Sequence, residues 1–233
     1  KYKDNLEELK KREKLWARDA QTAFYYAADV LMEPFPLGEK VISKYAEWSY
    51  RYASNVLNHR FELGEPAIAK EVRWSYYYAK HVLKGPFKLA EPKIAKDDRE
   101  SLRYATDVLR GRFKLGEPSI LKNIITLEHY IHNVIREPWP EAEPIIAEQG
   151  DADFIYDYAL RMIKGPFPLG EPKIAQSVGH AYRYAYSVLK GRFKLGEPII
   201  AKDASYAINY AEHVIKGRFP EAEPLIFKNE VTK

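Results

Sequence analysis

The sequence predicts an all-α protein, an α-solenoid of eight helix-turn-helix repeats that follow an N-terminal capping helix. The first observation is a tyrosine that recurs every 26 residues, with a single step of 28. The second is a helical spacing of apolar residues around each tyrosine, and the third is a Gly- and Pro-containing turn behind it. A fixed period of this length is typical of tandem-repeat architectures. The repeat tyrosines are Tyr26, Tyr52, Tyr78, Tyr104, Tyr130, Tyr158, Tyr184 and Tyr210.

Other positions keep the same phase, and one repeat reads roughly YAxxVLKGRFKLGEPxIAK. Nine residues after each tyrosine stands an aromatic residue: Phe35, Phe61, Phe87, Phe113, Trp139, Phe167, Phe193 or Phe219. Four residues later stands a glutamate: Glu39, Glu65, Glu91, Glu117, Glu143, Glu171, Glu197 or Glu223. An isoleucine follows three positions beyond it, from Ile42 to Ile226.

The seventh repeat shows why each unit predicts a long helix, a tight turn and a short helix. Ala181, Tyr184 and Val188 have the spacing of a helix that buries one face. Gly191 is expected to end that helix by taking the left-handed conformation. Pro198 then stands where the first turn of a helix tolerates proline, which predicts a second helix of about two turns.

The repeat predicts the domain organisation, because a helix pair buries its apolar face only when it stacks on its neighbours. We expect a capping helix over residues 1–16 and a C-terminal tail over 227–233. The repeats are expected at 17–42, 43–68, 69–94, 95–120, 121–146, 147–174, 175–200 and 201–226. No further long helix follows Ile226, which suggests an open stacking surface through which an oligomer could form. Since the first residue is Lys1 rather than Met, we also leave open that this sequence is a piece of a longer protein.

Composition narrows the class of protein. Lysine and arginine exceed aspartate and glutamate by 37 minus 33, and a net charge of +4 is too small to mark a nucleic-acid binder by itself. The absence of cysteine excludes disulfides and thiolate metal sites. No run approaches the ~18 apolar residues of a membrane span, and the charged start is unlike a signal peptide. We therefore expect a soluble protein of the cytoplasm, the host's if the protein is viral, or of a virion.

The pattern YAxxVLxGxFxxGExxI, which covers about residues 17–226, resembles tandem helical repeats of about 26 residues found in predicted proteins of tailed phages and large DNA viruses. The resemblance implies a phage or viral source and no particular mechanism. The fifth repeat departs from the pattern at Ile131, Glu137, Trp139 and Ala142, and we expect it to bend differently.

The recurrent glutamate is the most prominent acid, but its repetition argues against catalysis. A catalytic acid needs one pocket and a particular partner. Eight equivalent carboxylates are better explained as caps of short helices or as acceptors for a neighbouring Tyr or Arg. No phosphate-binding loop, nucleophile elbow or HExxH helix is present in the sequence. The sequence therefore predicts no enzyme and no cofactor.

Two groups of residues suggest a metal site, and neither completes one. His129 and His132 lie about one helical turn apart beside Glu128, but no third ligand is evident. The two-residue insertion places Glu148, Asp151 and Asp153 around a glycine, with a spacing unlike an EF-hand loop. We expect a solvated turn there and no metal.

The turns carry a periodic set of cations that stacking would align into a basic ridge. Such a ridge can follow a phosphate backbone, or it can complement helix dipoles and keep the surface soluble. The equally periodic glutamates favour the second interpretation. The ridge consists of Lys84, Arg110, Arg112, Lys164, Lys190, Arg192, Lys216 and Arg218.

The candidate binding residues lie on a variable stripe of the long helix, at four before, one before and three after each repeat tyrosine. This stripe is rich in Trp, Tyr, Arg and His, and the first three of these often dominate binding energy at interfaces. Either a partner binds there, or neighbouring turns and short helices cover the aromatic rings. Trp48 and Trp74, one period apart, are expected side by side at about 10 Å. The candidates are Trp48, Arg51, Trp74, Tyr77, His81, Arg103, His129 and Arg183. Of these, Trp48, Arg51, Trp74 and Tyr77 are expected at the centre of the binding surface.

These observations predict a non-catalytic scaffold that binds a partner macromolecule, and a protein above all. The alternatives are a solenoid that binds nucleic acid through the basic ridge, and a structural component of a viral particle.

Overall fold

The computed structural model describes residues 2–230, with side chains from residue 7 to residue 227. These residues form helices and turns without a strand, so the prediction of an all-α repeat protein is confirmed. The chain divides into two compact units, residues 1–126 and 127–233.

The first unit contains the N-terminal helix Tyr2–Trp16 and four helix pairs. Each long helix begins as an α-helix and continues as a π-helix. Its α-helical parts are Ala20–Tyr25, Ala46–Tyr52, Val72–Tyr77 and Asp98–Tyr104. The π-helical parts are Tyr26–Leu31, Ala53–Leu57, Tyr78–Leu83 and Ala105–Leu109. The short helices are Pro36–Ile42, Glu65–Ile68 after a 3₁₀ turn at Glu62–Gly64, Glu91–Ile94 and Glu117–Ile120.

The second unit repeats the same plan. The α-helical parts of its long helices are Ile124–Tyr130, which begins at the end of the first unit, Ala152–Asp157, Val178–Arg183 and Ala204–Tyr210. The π-helical parts are Ile131–Ile135, Tyr158–Ile163, Tyr184–Leu189 and Ala211–Ile215. The short helices are Glu143–Gln149, Glu171–Ile174, Glu197–Ile200 and Glu223–Glu230.

The end of each long helix differs from the expectation. Gly191 was expected to take the left-handed conformation, but no glycine has a positive φ among the described residues. The residue before it does so instead, as at Lys190, where φ is 51°. Gly191 N–H closes the helix by donating to Ala185 O, six residues back, at 3.1 Å. The wide π-turn therefore places the left-handed residue one position earlier than an α-helix pattern suggests.

The repeat tyrosines join successive repeats through a three-membered hydrogen-bond network. In the third and fourth repeats, the Phe87 N–H donates to the Tyr104 hydroxyl at 2.7 Å. That hydroxyl in turn donates to Glu91 Oε1 at 3.2 Å, and Tyr104 is fully buried. This confirms the interpretation of the recurrent glutamate as a structural acceptor. The same two bonds occur at Phe35–Tyr52–Glu39, Phe61–Tyr78–Glu65, Trp139–Tyr158–Glu143, Phe167–Tyr184–Glu171 and Phe193–Tyr210–Glu197.

The N-terminal helix supplies the first repeat with the equivalent glutamate contact. The Tyr26 hydroxyl donates to Glu13 Oε1 at 2.9 Å, and its ring lies 4.5 Å from that of Trp16. Glu13 and Trp16 precede Glu39 and Ile42 by one period, so this helix takes the place of a preceding short helix. The region predicted as a cap thus contains the helix Tyr2–Trp16, which is in phase with the repeats.

The two-residue insertion at the start of the sixth repeat accompanies a lengthened short helix. Glu143–Gln149 is longer than most of its equivalents, and Asp151 caps the next helix by accepting the Phe154 N–H at 2.8 Å. Lys173 Nζ donates to the backbone oxygens of Glu148 and Gly150 at 2.7 and 2.8 Å. These two carbonyls therefore accept hydrogen bonds from one lysine.

Candidate binding surface

The variable stripe of the long helices packs against one position of the preceding repeat. This position lies two residues before the repeat tyrosine and carries Phe24, Tyr50 and Tyr76 in the first unit. Their rings meet Trp48, Trp74 and the Arg103 guanidinium, respectively. In the second unit, Tyr156 meets Arg183 and His180, and Tyr182 meets Tyr206. Neighbouring long helices, rather than turns or short helices, thus cover part of the stripe.

Trp48 belongs to a ring cluster with the first repeat. Its centroid lies 5.5 Å from Phe24 and 5.9 Å from Tyr25, and the indole is half-buried. The Arg51 guanidinium lies 5.6 Å from the indole centroid and bonds Glu47 at 2.8 Å. Glu47 therefore holds Arg51 against the ring, a cation–π arrangement.

Trp74 belongs to a second cluster, which spans the second and third repeats. Tyr50 stacks on Trp74 at 5.5 Å and lies 6.0 Å from Tyr77, and Tyr77 stacks on His81 at 5.7 Å. The Tyr50 hydroxyl and His81 Nδ1 are 3.1 Å apart, in hydrogen-bond distance. The two indoles thus lie in different ring clusters, Trp48 with Phe24 and Tyr25, and Trp74 with Tyr50 and Tyr77.

A polar network continues this second cluster into the fourth repeat. The Arg103 guanidinium lies 3.8 Å from the Tyr76 ring centroid and 5.7 Å from that of Tyr77. The Tyr76 hydroxyl donates to Asp107, and Lys80 Nζ lies 2.8 Å from the same carboxylate. Hydrogen bonds from Lys80 and Tyr76 lower the pKa of Asp107 below its usual value. The carboxylate and both cations are therefore charged at neutral pH and fix the orientation of the Tyr76 ring.

The remaining candidates lie in the second unit. His129 is exposed on the helix Ile124–Tyr130. Arg183 lies 5.1 Å from the Tyr156 ring centroid and 3.5 Å from Asp153, whose pKa a hydrogen bond from His180 lowers. A groove of about 650 Å³ borders this group and contains Asp157, which lies 3.0 Å from His132 Nε2.

The structure thus brings together Trp74, Tyr77, His81 and Arg103, and places Trp48 with Arg51. The sequence analysis did not identify Tyr50 and Tyr76, because it selected stripe positions from the spacing along a single helix. These two tyrosines lie two residues before the repeat tyrosine, outside the selected positions. Their signal was present in the sequence, since the position two before the repeat tyrosine is aromatic in five of the eight repeats. These five residues are Phe24, Tyr50, Tyr76, Tyr156 and Tyr182.

Three of the four arginines of the basic ridge are paired with the recurrent glutamates. Arg192 Nε and the second guanidinium nitrogen Nη2 donate to the two carboxylate oxygens of Glu197 at 2.7 and 2.9 Å. Arg112 bonds Glu117 in the same two-fold manner, and Arg218 bonds Glu223 likewise. Bidentate pairs of this kind are strong and oriented, so these guanidinium groups are already engaged.

The described part of the chain contains neither a cluster of metal ligands nor a helix suited to span a membrane. Between residues 2 and 230, no group of three or more His, Asp or Glu side chains is arranged to hold a metal ion. No helix in the same range has both the length and the apolar character of a membrane span. The chain matches no model of a known family, no curated protein and no solved structure.

Proposed function

We propose that this chain is a non-catalytic scaffold that binds a protein partner through the aromatic face. We define the aromatic face as Tyr50, Trp74, Tyr77, His81 and Arg103. The supporting observation is a continuous series of ring and guanidinium contacts across three repeats, from Tyr50 to Arg103. A phage or viral setting is part of the proposal, and its support is the repeat pattern.

The chemistry of this face suits a protein surface. Trp74 and Tyr77 are half-buried and Arg103 is exposed, so each presents area that a partner can cover. Because neighbouring rings and Asp107 already restrain the side chains, binding would cost little further conformational entropy. Rigid Trp, Tyr and Arg side chains of this kind are the usual centres of binding energy at protein interfaces.

The basic ridge supports the alternative, nucleic-acid binding, less well. Arg112, Arg192 and Arg218 are engaged by glutamates of their own repeats. A phosphate would have to displace a carboxylate at each of these positions. Phosphate tracking depends on cations that release condensed counterions, which an internal carboxylate opposes.

The test is affinity capture from the native host with the wild-type chain and two variants. We expect Trp74→Ala and Arg103→Ala to weaken retention of the same protein by about 30-fold, corresponding to ~2 kcal/mol. Tyr206→Ala, at the position of Trp74 in the eighth repeat, is the matched control and should retain the partner. Circular dichroism must show that all three variants remain folded. Equal retention by the wild type and a folded double variant would contradict the proposal.

A salt series separates the two classes of partner. We expect no binding of generic single- or double-stranded nucleic acid at low salt. Binding whose affinity falls steeply with rising salt would instead support the basic ridge as the functional surface.

A further inference from the structure

Two junctions between repeats hold one of the chain's own arginines against a tyrosine ring. The Arg103 guanidinium lies 3.8 Å from the Tyr76 ring centroid, and the Arg183 guanidinium lies 5.1 Å from that of Tyr156. In both cases the tyrosine stands two residues before a repeat tyrosine, and the arginine follows it by 27 residues, in the next repeat. The two contacts are therefore equivalent in the repeat.

Each of these arginines also has a carboxylate beside it. Glu100 lies 3.9 Å from the Arg103 guanidinium, and Asp153 lies 3.5 Å from that of Arg183. The negative face of an aromatic ring and a nearby carboxylate both attract a cation. The chain thus shows twice that a tyrosine at this position, together with an acid, binds a guanidinium.

The junction between the seventh and eighth repeats has the tyrosine without the arginine. Tyr182 stands two residues before its repeat tyrosine, as Tyr76 and Tyr156 do. The residue 27 positions after Tyr182 is Asn209, which is exposed. Among the side chains described, from residue 7 to residue 227, no lysine or arginine lies over the ring of Tyr182 or of its neighbour Tyr186. The position that a guanidinium occupies at the two other junctions is therefore open here.

Several aromatic rings meet at this junction. The Tyr186 ring is within 17° of parallel to that of Tyr182, and their centroids are 6.0 Å apart. Tyr206 meets Tyr182 edge to face at 5.7 Å, and His213 lies 6.3 Å from Tyr186. Tyr186 is 54% exposed and Tyr182 is half-buried, so a ligand can reach both rings.

A carboxylate acts on these rings as well. Burial raises the pKa of Tyr182, and the neighbouring Tyr186 and Glu212 raise it further. Glu212 is exposed, and within the described part of the chain no cation forms an ion pair with it. Its negative charge is therefore available to a positively charged ligand.

We infer that Tyr182, Tyr186 and Glu212, which we call the arginine site, bind the guanidinium of an arginine from a protein partner. The guanidinium lies over the Tyr182 ring, as Arg103 lies over Tyr76, and Glu212 balances its charge. Arginine fits this site better than lysine, because its planar group stacks on an aromatic face. The three residues belong to the second unit and none is part of the aromatic face, so this inference does not depend on the proposed function.

The test uses the full chain with isotope-labelled tyrosine rings and the blocked peptide acetyl-Gly-Ser-Arg-Ser-Gly-amide. Heteronuclear NMR spectra report binding through the ring signals of Tyr182 and Tyr186, which the variants Tyr182→Phe and Tyr186→Phe assign. We expect saturable shifts with a Kd on the order of 1 mM, as suits a single side-chain contact. The same peptide with lysine in place of arginine should bind about threefold or more weakly.

Three variants make the result specific. Asn209→Arg supplies the missing arginine from the chain itself and should weaken peptide binding by about tenfold or more, because it occupies the site at a high effective concentration. Glu212→Gln removes the charge with little change of shape and should weaken binding by about threefold or more. Gln149→Arg adds the same charge as the first variant at an exposed position outside the site and should leave peptide affinity unchanged.

Circular dichroism must show that each variant is folded, and if Asn209→Arg is not, the Glu212→Gln result decides in its place. The inference is wrong if the peptide causes no saturable shift of Tyr182 and Tyr186, or if a folded Asn209→Arg variant binds the peptide as the wild type does. Equal affinity for the arginine and lysine peptides would also overturn it, because attraction by charge alone would then explain the binding.

Discussion

The buried tyrosine hydroxyl is the residue-scale feature that connects one repeat to the next. In the third and fourth repeats it accepts a hydrogen bond from a backbone N–H and donates one to a carboxylate of the preceding repeat. A buried donor or acceptor that loses its partner destabilises the folded state by more than the bond contributes when made. The tyrosine therefore contributes both its apolar ring and a specific alignment of adjacent repeats.

Tyr104→Phe should lower the free energy of unfolding by about 1–3 kcal/mol, because it leaves the Phe87 N–H and Glu91 without this partner. Chemical denaturation followed by circular dichroism measures the change. Tyr186→Phe is the matched control, since Tyr186 is exposed and its loss of a hydroxyl should change stability by less than about 0.5 kcal/mol. Equal effects of the two substitutions would refute the structural role of the buried hydroxyl.

The same burial predicts a loss of stability at high pH. Burial raises the pKa of Tyr158 and of Tyr210 to about 12, above the usual value of about 10. In the unfolded chain these hydroxyls ionise first, so the unfolded state binds fewer protons and stability falls as pH rises from about 10 to 12. Below the unfolded pKa the contribution is fully present.

Ultraviolet titration of tyrosinate measures this effect. In the folded protein, the repeat tyrosines should ionise later than the exposed ones, and in denaturant all should titrate together near their usual pKa. A single native transition near pH 10 that includes all 18 tyrosines would contradict the prediction.

At the scale of a single element, the π-helical half of each long helix determines how the helix ends. It places the left-handed residue at Lys84 and Lys190 rather than at Gly85 and Gly191. The first, second and fifth repeats carry Glu33, His59 and Glu137 at the glycine position, which agrees with a backbone that needs no positive φ there.

Gly191→Ala should leave stability unchanged or raise it by up to about 1 kcal/mol, because alanine restricts the unfolded chain. An added Cβ at this position would meet no atom closer than Leu189 O at 3.8 Å. Lys190→Gly is the complementary variant and should stabilise the fold by about 1 kcal/mol, since glycine tolerates the left-handed conformation. Thermal unfolding measures both, and a loss of about 1 kcal/mol in Gly191→Ala would place the left-handed residue at the glycine instead.

At the scale of the whole molecule, stability is expected to be a sum of repeats and of contacts between neighbours. Each tyrosine network joins one repeat to the next, as Tyr184 joins the seventh repeat to Phe167 and Glu171 of the sixth. A local change should therefore be felt mainly by adjacent repeats.

Hydrogen exchange followed by mass spectrometry tests this locality. In Tyr104→Phe, amides of the third and fourth repeats should exchange faster, because the contact between those repeats is weakened. Amides of the seventh and eighth repeats should exchange at wild-type rates. Uniformly faster exchange along the chain would indicate one cooperative molecule rather than a chain of neighbour contacts.

The sequence by itself determined the repeat, the helix pairs and the buried tyrosines. These follow from local patterns, since spacing along one helix decides which face is apolar and prolines mark where short helices begin. The interpretation of the glutamate as an acceptor for a neighbouring tyrosine was also correct, as the Tyr104–Glu91 hydrogen bond shows. The N-terminal helix was predicted, although its phase with the repeats, through Glu13 and Trp16, emerged from contacts with Tyr26.

Only the tertiary structure decided which side chains meet across repeats. Tyr50 and Trp74 are 24 positions apart in the sequence, and their stacking depends on how two helices pack, which the pattern along either helix does not contain. The π-helical segments were likewise absent from the prediction. A short segment with i to i+5 hydrogen bonds has nearly the same spacing of apolar residues as an α-helix, so the sequence pattern does not distinguish the two. The exposure of leucines such as Leu63 and Leu89 was also absent from the prediction, because exposure depends on what neighbouring repeats cover and periodicity alone does not report it.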